Sequence, residues 1–201
     1  MTSLKLYLEK GRLEAGCDEA GRGCLAGPVT AAAVILNPKK RIKGLNDSKQ
    51  LSEIKRKILA EEIKDKALAW AVAFVEPSEI DRINILQASI LAMNQAVNML
   101  TPQPDFLLID GNRFRSMYTI PFQTVIKGDA LFQSIAAASI LAKTERDLHM
   151  EEMHLKYPIY QWDKNKGYPT KDHRMAIMQH GVCPLHRKSF RKTDPQLKLF
   201  K

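Results

Sequence analysis

The chain has 201 residues, of which 45% are hydrophobic and 26% charged, and its formal net charge is +9. This composition is ordinary for a soluble globular protein of one domain, or of one domain with a small appendage. The longest apolar run, residues 67–75, is too short to cross a bilayer of about 30 Å, and the N-terminus has no secretory signal pattern, which predicts a cytoplasmic protein with no membrane partner.

The predicted elements alternate between strands and helices. In chain order they are strands at 15–18 and 29–36, a helix at 52–66, a strand at 68–75, a helix at 77–100, strands at 106–110 and 122–126, and helices at 130–153 and 171–180. Ser52 and Thr170 are predicted N-caps. The first helix is expected to bury one stripe, formed by Ile54, Ile58, Leu59 and Ile63. Such alternation predicts an α/β fold, a sheet with helices packed on it.

The C-terminal end is polar and basic. Residues 161–201 contain ten Lys/Arg and three Asp/Glu, so they carry all but two of the net positive charges. A basic end beside a nearly neutral body predicts a phosphate-binding appendage, although a solvated basic surface explains the charge equally well. The three cysteines, Cys17, Cys24 and Cys183, form no CxxC pair, and we expect reduced, structural thiols.

Four carboxylates stand at informative places. Asp18 and Glu19 end the first predicted strand, Asp110 ends an apolar strand, and Asp129 starts the predicted long helix. Taken singly, each is explained as a turn or cap residue. Ligand sites in α/β sheets gather at strand ends, and carboxylates brought together resist ionisation unless a cation neutralises them. Oxygen ligands suit Mg²⁺ or Mn²⁺, so the pattern predicts a two-metal phosphodiesterase site.

Several segments, in their order and spacing, strengthen this interpretation. They are residues 15–29 (AGCDEAGRGCLAGPV), 45–51 (LNDSKQL), 108–111 (LIDG), 127–129 (KGD), 134–147 (SIAAASILAKTERD), 165–170 (NKGYPT) and 180–190 (HGVCPLHRKSF). Together they resemble the type 2 ribonucleases H over nearly the whole chain.

The resemblance implies a fold and an activity. The fold would be a ribonuclease H-like mixed β-sheet flanked by helices, with a small helical C-terminal appendage. Asp18, Glu19, Asp110 and Asp129 would be the catalytic residues and the ligands of two Mg²⁺ or Mn²⁺ ions. One ion would activate the attacking water and the other would stabilise the leaving 3′-oxygen. The enzyme would cut the RNA strand of RNA–DNA hybrids, including 5′ of a single ribonucleotide in duplex DNA, leaving a 5′-phosphate and a 3′-hydroxyl.

The resemblance also implies substrate contacts. Gly21, Arg22 and Gly23 would sense the ribose 2′-hydroxyl, the group that separates RNA from DNA. Tyr168 would stack on the sugar at the RNA–DNA junction. We expect phosphate contacts from Ser139 and Lys143, which share a helix face, and weaker ones from the basic side chains Lys49, Arg22 and Arg146.

Other residues of these motifs have expected structural roles. Asp147 is expected to pair with an Arg. His186 and Arg187 are expected to anchor the C-terminal tail.

Three regions are predicted: a catalytic domain at 1–155, a helical basic substrate-binding region at 156–192, and a tail at 193–201. In the tail, Gln196, Leu197, Leu199 and Phe200 resemble the short peptide by which bacterial enzymes dock on the replication sliding clamp. Folding of the tail onto the protein's own core is an equally good reading. Without long heptads, the chain is expected to be a monomer.

Two other functions remain open on the residues alone. A DNA-only carboxylate-metal nuclease would share the acids but would not sense the 2′-hydroxyl. A non-catalytic hybrid-binding protein would tolerate Asp18→Asn or Asp129→Asn, and it has no need for four charges that oppose the approach of phosphate.

Overall fold

The computed structural model describes residues 4–192, without the side chains of Arg191 and Lys192. Its sheet has five strands: β1 (Glu14–Ala20), β2 (Val29–Ile35), β3 (Ala69–Val75), β4 (Phe106–Asp110) and β5 (Phe122–Val125). The strand order is β3-β2-β1-β4-β5. β1 pairs antiparallel with β2 and parallel with β4, β2 pairs antiparallel with β3, and β4 pairs parallel with β5. The predicted mixed sheet is confirmed.

The register of the parallel strands determines where the site lies. Cys17 of β1 lies opposite Ile109 of β4, and Asp110 lies opposite Val125 of β5. The carboxyl ends of β1, β4 and β5 therefore meet at one edge of the sheet, where α/β folds place their ligands.

Six α-helices and four 3₁₀ turns lie among the described residues. The helices are α1 (Glu53–Lys66), α2 (Pro77–Ile83), α3 (Ile85–Asn98), α4 (Gln133–Lys156), α5 (Trp162–Asn165) and α6 (Lys171–His180). The turns are Ser48–Gln50, Gly128–Ala130, Pro158–Tyr160 and Lys188–Lys192. No helix within residues 4–192 combines the length and apolarity that crossing a membrane requires.

The central strands of the sheet, β2, β1 and β4, are buried on both faces. Along β2, Ala31 and Ala33 pack in the core that α3 covers, whereas Ala32 and Val34 pack in the core that α1 and α4 cover. Side chains of a strand alternate between its faces, so one fully buried strand serves both cores. Contact between β1 and α4 is close, because a Cβ at Gly16 would overlap the backbone of Ser134. This contact brings α4 beside the carboxylates of β1.

The C-terminal region packs on the body through a third core. Tyr160, Trp162 and Ile177 lie in one cluster with Ala26, which follows β1, and with Met150 of α4. The region is helical, as predicted, and shares its core with the body.

Three predictions about helices were wrong in part. The predicted helix at 77–100 divides at Asn84, whose φ is +69° and whose side chain caps α3. The long helix begins at Gln133 rather than 130, and Asp129 lies in the preceding turn. In α1, Ile54 and Ile58 are 74% and 63% exposed, since the stripe that faces α4 consists of Leu59, Ala60 and Ile63.

Candidate active site

The four predicted acids converge at the carboxyl edge of the sheet. Asp18 and Glu19 lie near the end of β1, and Asp110 is the last residue of β4. Asp129 lies in the turn that follows β5. The charge of Asp110 acts to raise the pKa of Asp18, Glu19 and Asp129, so the four acids share one electrostatic environment.

Burial and mutual repulsion act on these groups together. Asp18 and Asp129 are only 6% and 7% exposed. Burial is the main cause of the raised pKa of Asp18, and the charges of Glu19 and Asp110 add to it. The pKa of Asp129 is raised by burial and then by Asp110. Charged carboxylates gathered in this way are unfavourable without a cation, which is the condition that a divalent metal ion relieves.

Three of the four carboxylates accept hydrogen bonds from nearby groups of the protein. Asp18 Oδ1 accepts a hydrogen bond of 2.7 Å from the backbone N–H of Glu19, and Asp110 Oδ1 accepts one of 2.7 Å from Gly128. Glu19 Oε1 accepts one of 3.1 Å from the Arg22 guanidinium. Across residues 4–192, no three His, Cys, Asp or Glu side chains are already close enough to share a metal ion. The donor set fits Mg²⁺ or Mn²⁺ in its chemistry, but binding requires these side chains to turn from their present partners.

A chain of hydroxyl groups supports Asp18. The Ser139 side chain on α4 lies beside the Asp18 carboxylate, where its hydroxyl group acts to lower the pKa of Asp18. The hydroxyl oxygens of Ser48 and Ser139 lie 2.9 Å apart, and both side chains are buried. Because an ionised carboxylate only accepts, Ser139 donates to Asp18, and Ser48 must then donate to Ser139. Two aligned hydroxyl dipoles therefore point toward the negative charge.

The turn that carries Ser48 also brings charge to the site. Lys49 is exposed, and its ammonium group acts to lower the pKa of Glu19 and of Asp129. The nearby Asp47 acts to raise the pKa of Asp129. Of this turn, only Lys49 was predicted to contribute. Asp47 and Ser48 were missed, although both stand in a motif that the sequence offered.

Two buried guanidinium groups hold the loop that follows β1. Arg146 donates to the carbonyl oxygens of Ala26, Pro28 and Lys166, at 2.8–3.1 Å. Arg187 donates to those of Arg22, Gly27 and Pro28, each at 3.0 Å. The suggestion that Arg146 contacts phosphate is therefore wrong, because it is fully buried and its guanidinium bonds to the protein. Arg187 was expected to anchor the tail, which lies outside the described residues, and it bonds to the loop after β1.

The two glycines of Gly21-Arg22-Gly23 have different environments. Gly21 has a φ of +90°, and a Cβ there would overlap the Arg146 side chain. A Cβ at Gly23 would meet nothing within 4 Å, and its φ lies outside the left-handed region. Gly21 is therefore required by the fold, whereas Gly23 leaves open space where a ligand's backbone or sugar can approach.

Tyr168 lies beside this loop. Gly167 approaches Ala26 so closely that an added Cβ would lie 2.5 Å from the Ala26 carbonyl oxygen, and Leu25 donates to the Gly167 carbonyl at 2.8 Å. The Tyr168 ring is partly exposed, and its hydroxyl lies close enough to the Cys24 side chain for the two groups to influence each other's pKa. Burial raises the pKa of Tyr168 to about 12, so its hydroxyl keeps its proton at neutral pH. The motifs predicted to recognise the ribose are thus adjacent.

Comparison with known proteins decides the family. The family model described as ribonuclease HII matches residues 15–193. The chain is 59% identical over 195 residues to the ribonuclease HII of Phocaeicola vulgatus, covering 96% of this chain and 97% of that one. It is 60% identical over 193 residues to the ribonuclease HII of Parabacteroides distasonis, with the same coverage. The chain belongs to the ribonuclease HII family.

A solved structure supports the fold and the family. In the complex of PCNA with ribonuclease HII from Archaeoglobus fulgidus, the matching chain has a TM-score of 0.75 and 26% identity, covering 92% of this chain and 96% of that one. Ribonuclease HII enzymes are endonucleases of RNA–DNA hybrids, so the predicted hydrolase activity and the predicted relationship to the type 2 ribonucleases H are confirmed.

In this ribonuclease HII, Lys143, a predicted phosphate contact, is already paired with a carboxylate of the protein. Lys143 Nζ donates to Asp147 at 2.6 Å and lies 5.3 Å from the centre of the Tyr168 ring. Asp147 also pairs with Arg56 at 3.6 Å, which confirms its expected pairing with an Arg. Lys143 is therefore positioned beside the Tyr168 ring while bound to a buried carboxylate.

Two further predictions concern the cysteines and the C-terminal tail. All three cysteines are free, as expected. The predicted clamp-binding residues, Gln196, Leu197, Leu199 and Phe200, lie outside the described residues.

Proposed function

We propose that this ribonuclease HII cuts on the 5′ side of ribonucleotides, including a single ribonucleotide in duplex DNA, with two Mg²⁺ or Mn²⁺ ions held by Asp18, Glu19, Asp110 and Asp129. The observation that carries the proposal is the convergence of four carboxylates, two of them deeply buried, at one sheet edge. Neither a binding protein nor a structural protein gains from this repulsion.

The bound cations would supply charge neutralisation at the scissile phosphate and activation of the attacking water. The protein's own part is to hold the ligands and the phosphate. Ser139 donates to Asp18 and leaves the outer lone pairs of that carboxylate for a metal ion. Arg22, which now pairs with Glu19, is half exposed and is free to turn to a phosphate once Glu19 binds metal. Lys49 offers a second exposed cation beside the same acids.

Ribose recognition is assigned to the loop at Gly21–Gly23 and to Tyr168. The open space over Gly23 admits a sugar, and the backbone there can both donate to and accept from a 2′-hydroxyl. The Tyr168 ring offers a face for stacking on the sugar and a protonated hydroxyl for donation. Two arginines fix the loop, so these groups are preorganised before the substrate binds.

The C-terminal peptide at Gln196–Phe200 is proposed to dock on the bacterial sliding clamp. Support comes from its sequence and from the A. fulgidus ribonuclease HII, which forms a complex with PCNA. Deletion of the last six residues should abolish clamp binding while leaving hydrolysis unchanged. Unchanged clamp binding by the truncated protein would contradict this assignment.

A single-ribonucleotide cleavage assay tests the proposed function. The substrate is a DNA duplex with one ribonucleotide, and the control is the same sequence entirely in DNA, each with and without Mg²⁺. We expect metal-dependent cutting only at the 5′ side of the ribonucleotide, and a loss of at least about 10²-fold in rate for Asp18→Asn. Equal cutting of the all-DNA control would favour a DNA nuclease. Full activity of Asp18→Asn would show that Asp18 is not a required metal ligand.

A further inference from the structure

A basic tract, defined here as Lys39, Lys40, Arg41, Lys43 and Lys55, leads away from the site. All five side chains are exposed, and none forms a salt bridge with an acid among the described residues. The next cations along the chain behave differently. These are Lys57, Lys64 and Lys66 of α1, which pair with Glu53, Glu61 and Glu62 at 2.6–2.8 Å. Positive charge is thus compensated at Lys57, Lys64 and Lys66 and uncompensated on the tract, although Lys55 of the tract also belongs to α1.

The tract is also concave. Lys40 and Arg41 line a depression of about 240 Å³, and Arg41 and Lys43 line a second one of about 230 Å³. Both depressions reach Gln133 at the start of α4. Lys55 lies over the turn at Gly44, since its ammonium nitrogen would be 3.9 Å from a Cβ there. Lys40, Arg41 and Lys43 therefore line two adjoining depressions that share Arg41, Ile42 and Gln133, and Lys55 lies beside the second one.

The tract connects with the catalytic edge through Lys49. The charge of Lys49 acts on Glu19 and Asp129, and Lys49 stands only six positions after Lys43 in the chain. An extended chain spans at most about 3.6 Å per residue, so Lys43 lies within roughly 22 Å of Lys49. Duplex DNA advances about 3.4 Å per base pair, and about seven base pairs cover that span.

We propose that the basic tract binds backbone phosphates of the duplex that flanks the cleavage site. This inference rests on the proposed function, because it extends the same substrate beyond the ribonucleotide. Uncompensated exposed Lys and Arg side chains bind phosphates by releasing counterions, which adds affinity without base specificity. The tract thus holds long substrates in place while the Gly21–Gly23 loop and Tyr168 select the ribose.

Salt-dependent binding tests the proposal with two matched variants. One carries Lys39→Gln, Lys40→Gln and Lys43→Gln in the tract. The other carries Lys57→Gln, Lys64→Gln and Lys66→Gln on α1, which removes the same charge from paired positions. Binding of a duplex of about 30 base pairs with one ribonucleotide is measured over a range of salt without divalent metal, so that no cutting occurs. The tract variant should lower the slope of log K against log [salt] by about 2.7, since each lost phosphate contact removes about 0.9.

The control variant should leave that slope within about 0.5 of wild type. Cutting of a duplex of about 8 base pairs centred on the ribonucleotide, which presents far fewer flanking phosphates, should change much less in the tract variant than binding of the long duplex does. Equal slopes in the two variants would overturn the proposal, because the effect would then reflect net charge alone. An unchanged slope in the tract variant would overturn it too. Failure of the wild type to cut either duplex would instead contradict the proposed function, while the binding slopes remain readable.

Discussion

Gly21 and Gly23 stand two positions apart in one loop, yet their surroundings in the structure differ. Gly21 adopts a positive φ against the Arg146 side chain, whereas Gly23 faces open space. The first requirement belongs to folding, and we propose that the open space at Gly23 serves access of the substrate. Both positions are glycine in the sequence, so only the folded structure shows that their surroundings differ.

Alanine substitutions should separate these two roles by experiment. Gly21→Ala should destabilise the protein by about 1–3 kcal/mol, because it combines backbone strain with an overlap in a packed region. Gly23→Ala should leave the melting temperature unchanged and slow cutting at a single ribonucleotide on the order of 10²-fold, since a methyl group would displace the ribose. Thermal melts and single-turnover rates of both variants check this. Wild-type cutting rates for Gly23→Ala would show that the loop does not recognise the ribose.

At the scale of elements, the turn at Ser48–Gln50 is joined to α4 by the hydroxyl chain that ends on Asp18. Ser48 and Ser139 are 91 residues apart in sequence, so no local pattern reveals their contact. If Ser48 acts on the metal site through Ser139, the effects of removing the two hydroxyls should not add.

A double-mutant cycle measures this coupling. Ser48→Ala and Ser139→Ala should each weaken Mn²⁺ binding about 10-fold, as removal of groups that orient metal ligands does. Ser48→Ala should add nothing further in the Ser139→Ala background. Ser52→Ala is the matched control, because it removes the N-cap of α1 and lowers stability by about 1 kcal/mol without touching Asp18. Calorimetric Mn²⁺ affinities that fall additively would show that Ser48 acts elsewhere.

The helical C-terminal region contains a histidine pair that holds Tyr168 in place. Trp162 Nε1 donates to His173 Nε2 at 3.1 Å, so His173 carries its proton on Nδ1 and donates it to the Tyr168 carbonyl oxygen at 2.9 Å. His186 Nε2 lies 3.2 Å from the same acceptor atom. Protonation of His173 would place an N–H group against two other N–H groups.

This arrangement predicts a pH dependence of stability. Burial lowers the pKa of His173 below its ordinary 6.5, so the folded state takes up its proton less readily than the unfolded state. The stabilising contribution of neutral His173 is therefore complete above pH 6.5 and is lost as the pH falls below that value. Trp162 fluorescence, recorded in a Trp70→Phe background, should change with a midpoint below 6.5. A midpoint at or above 6.5 would contradict the assigned hydrogen bonds.

Most elements could be predicted because their signals are local. Apolar runs identified all five strands, and Ser52 and Thr170 cap the helices they were expected to cap. The break at Asn84 was missed because apolar spacing continues across it, and the turn at Asp129 was missed because a Gly-Asp pair before a helical stretch also suits a helix start. In each case a backbone feature overrode a regular side-chain pattern.

For the whole molecule, the acids could be predicted but their support could not. Arg146 was expected to be a weak phosphate contact and Arg187 an anchor of the tail, and burial of both was not predicted because Arg is seldom fully buried without a carboxylate partner. The fold instead offers each of them three carbonyl oxygens, and together they tie the body to the C-terminal region. Burial lowers the pKa of Arg187 to about 10, which leaves it charged at neutral pH. The boundary at residue 155 and the monomeric state stay predictions.

The central claim is that the four acids bind divalent cations together. Anomalous scattering from crystals of the protein soaked in Mn²⁺ tests it most directly. The account predicts Mn²⁺ peaks bonded at about 2.2 Å to oxygens of Asp18, Glu19, Asp110 and Asp129, with Glu19 turned away from Arg22. Mn²⁺ peaks bonded elsewhere, or none at this edge under conditions where the enzyme cuts, would contradict it.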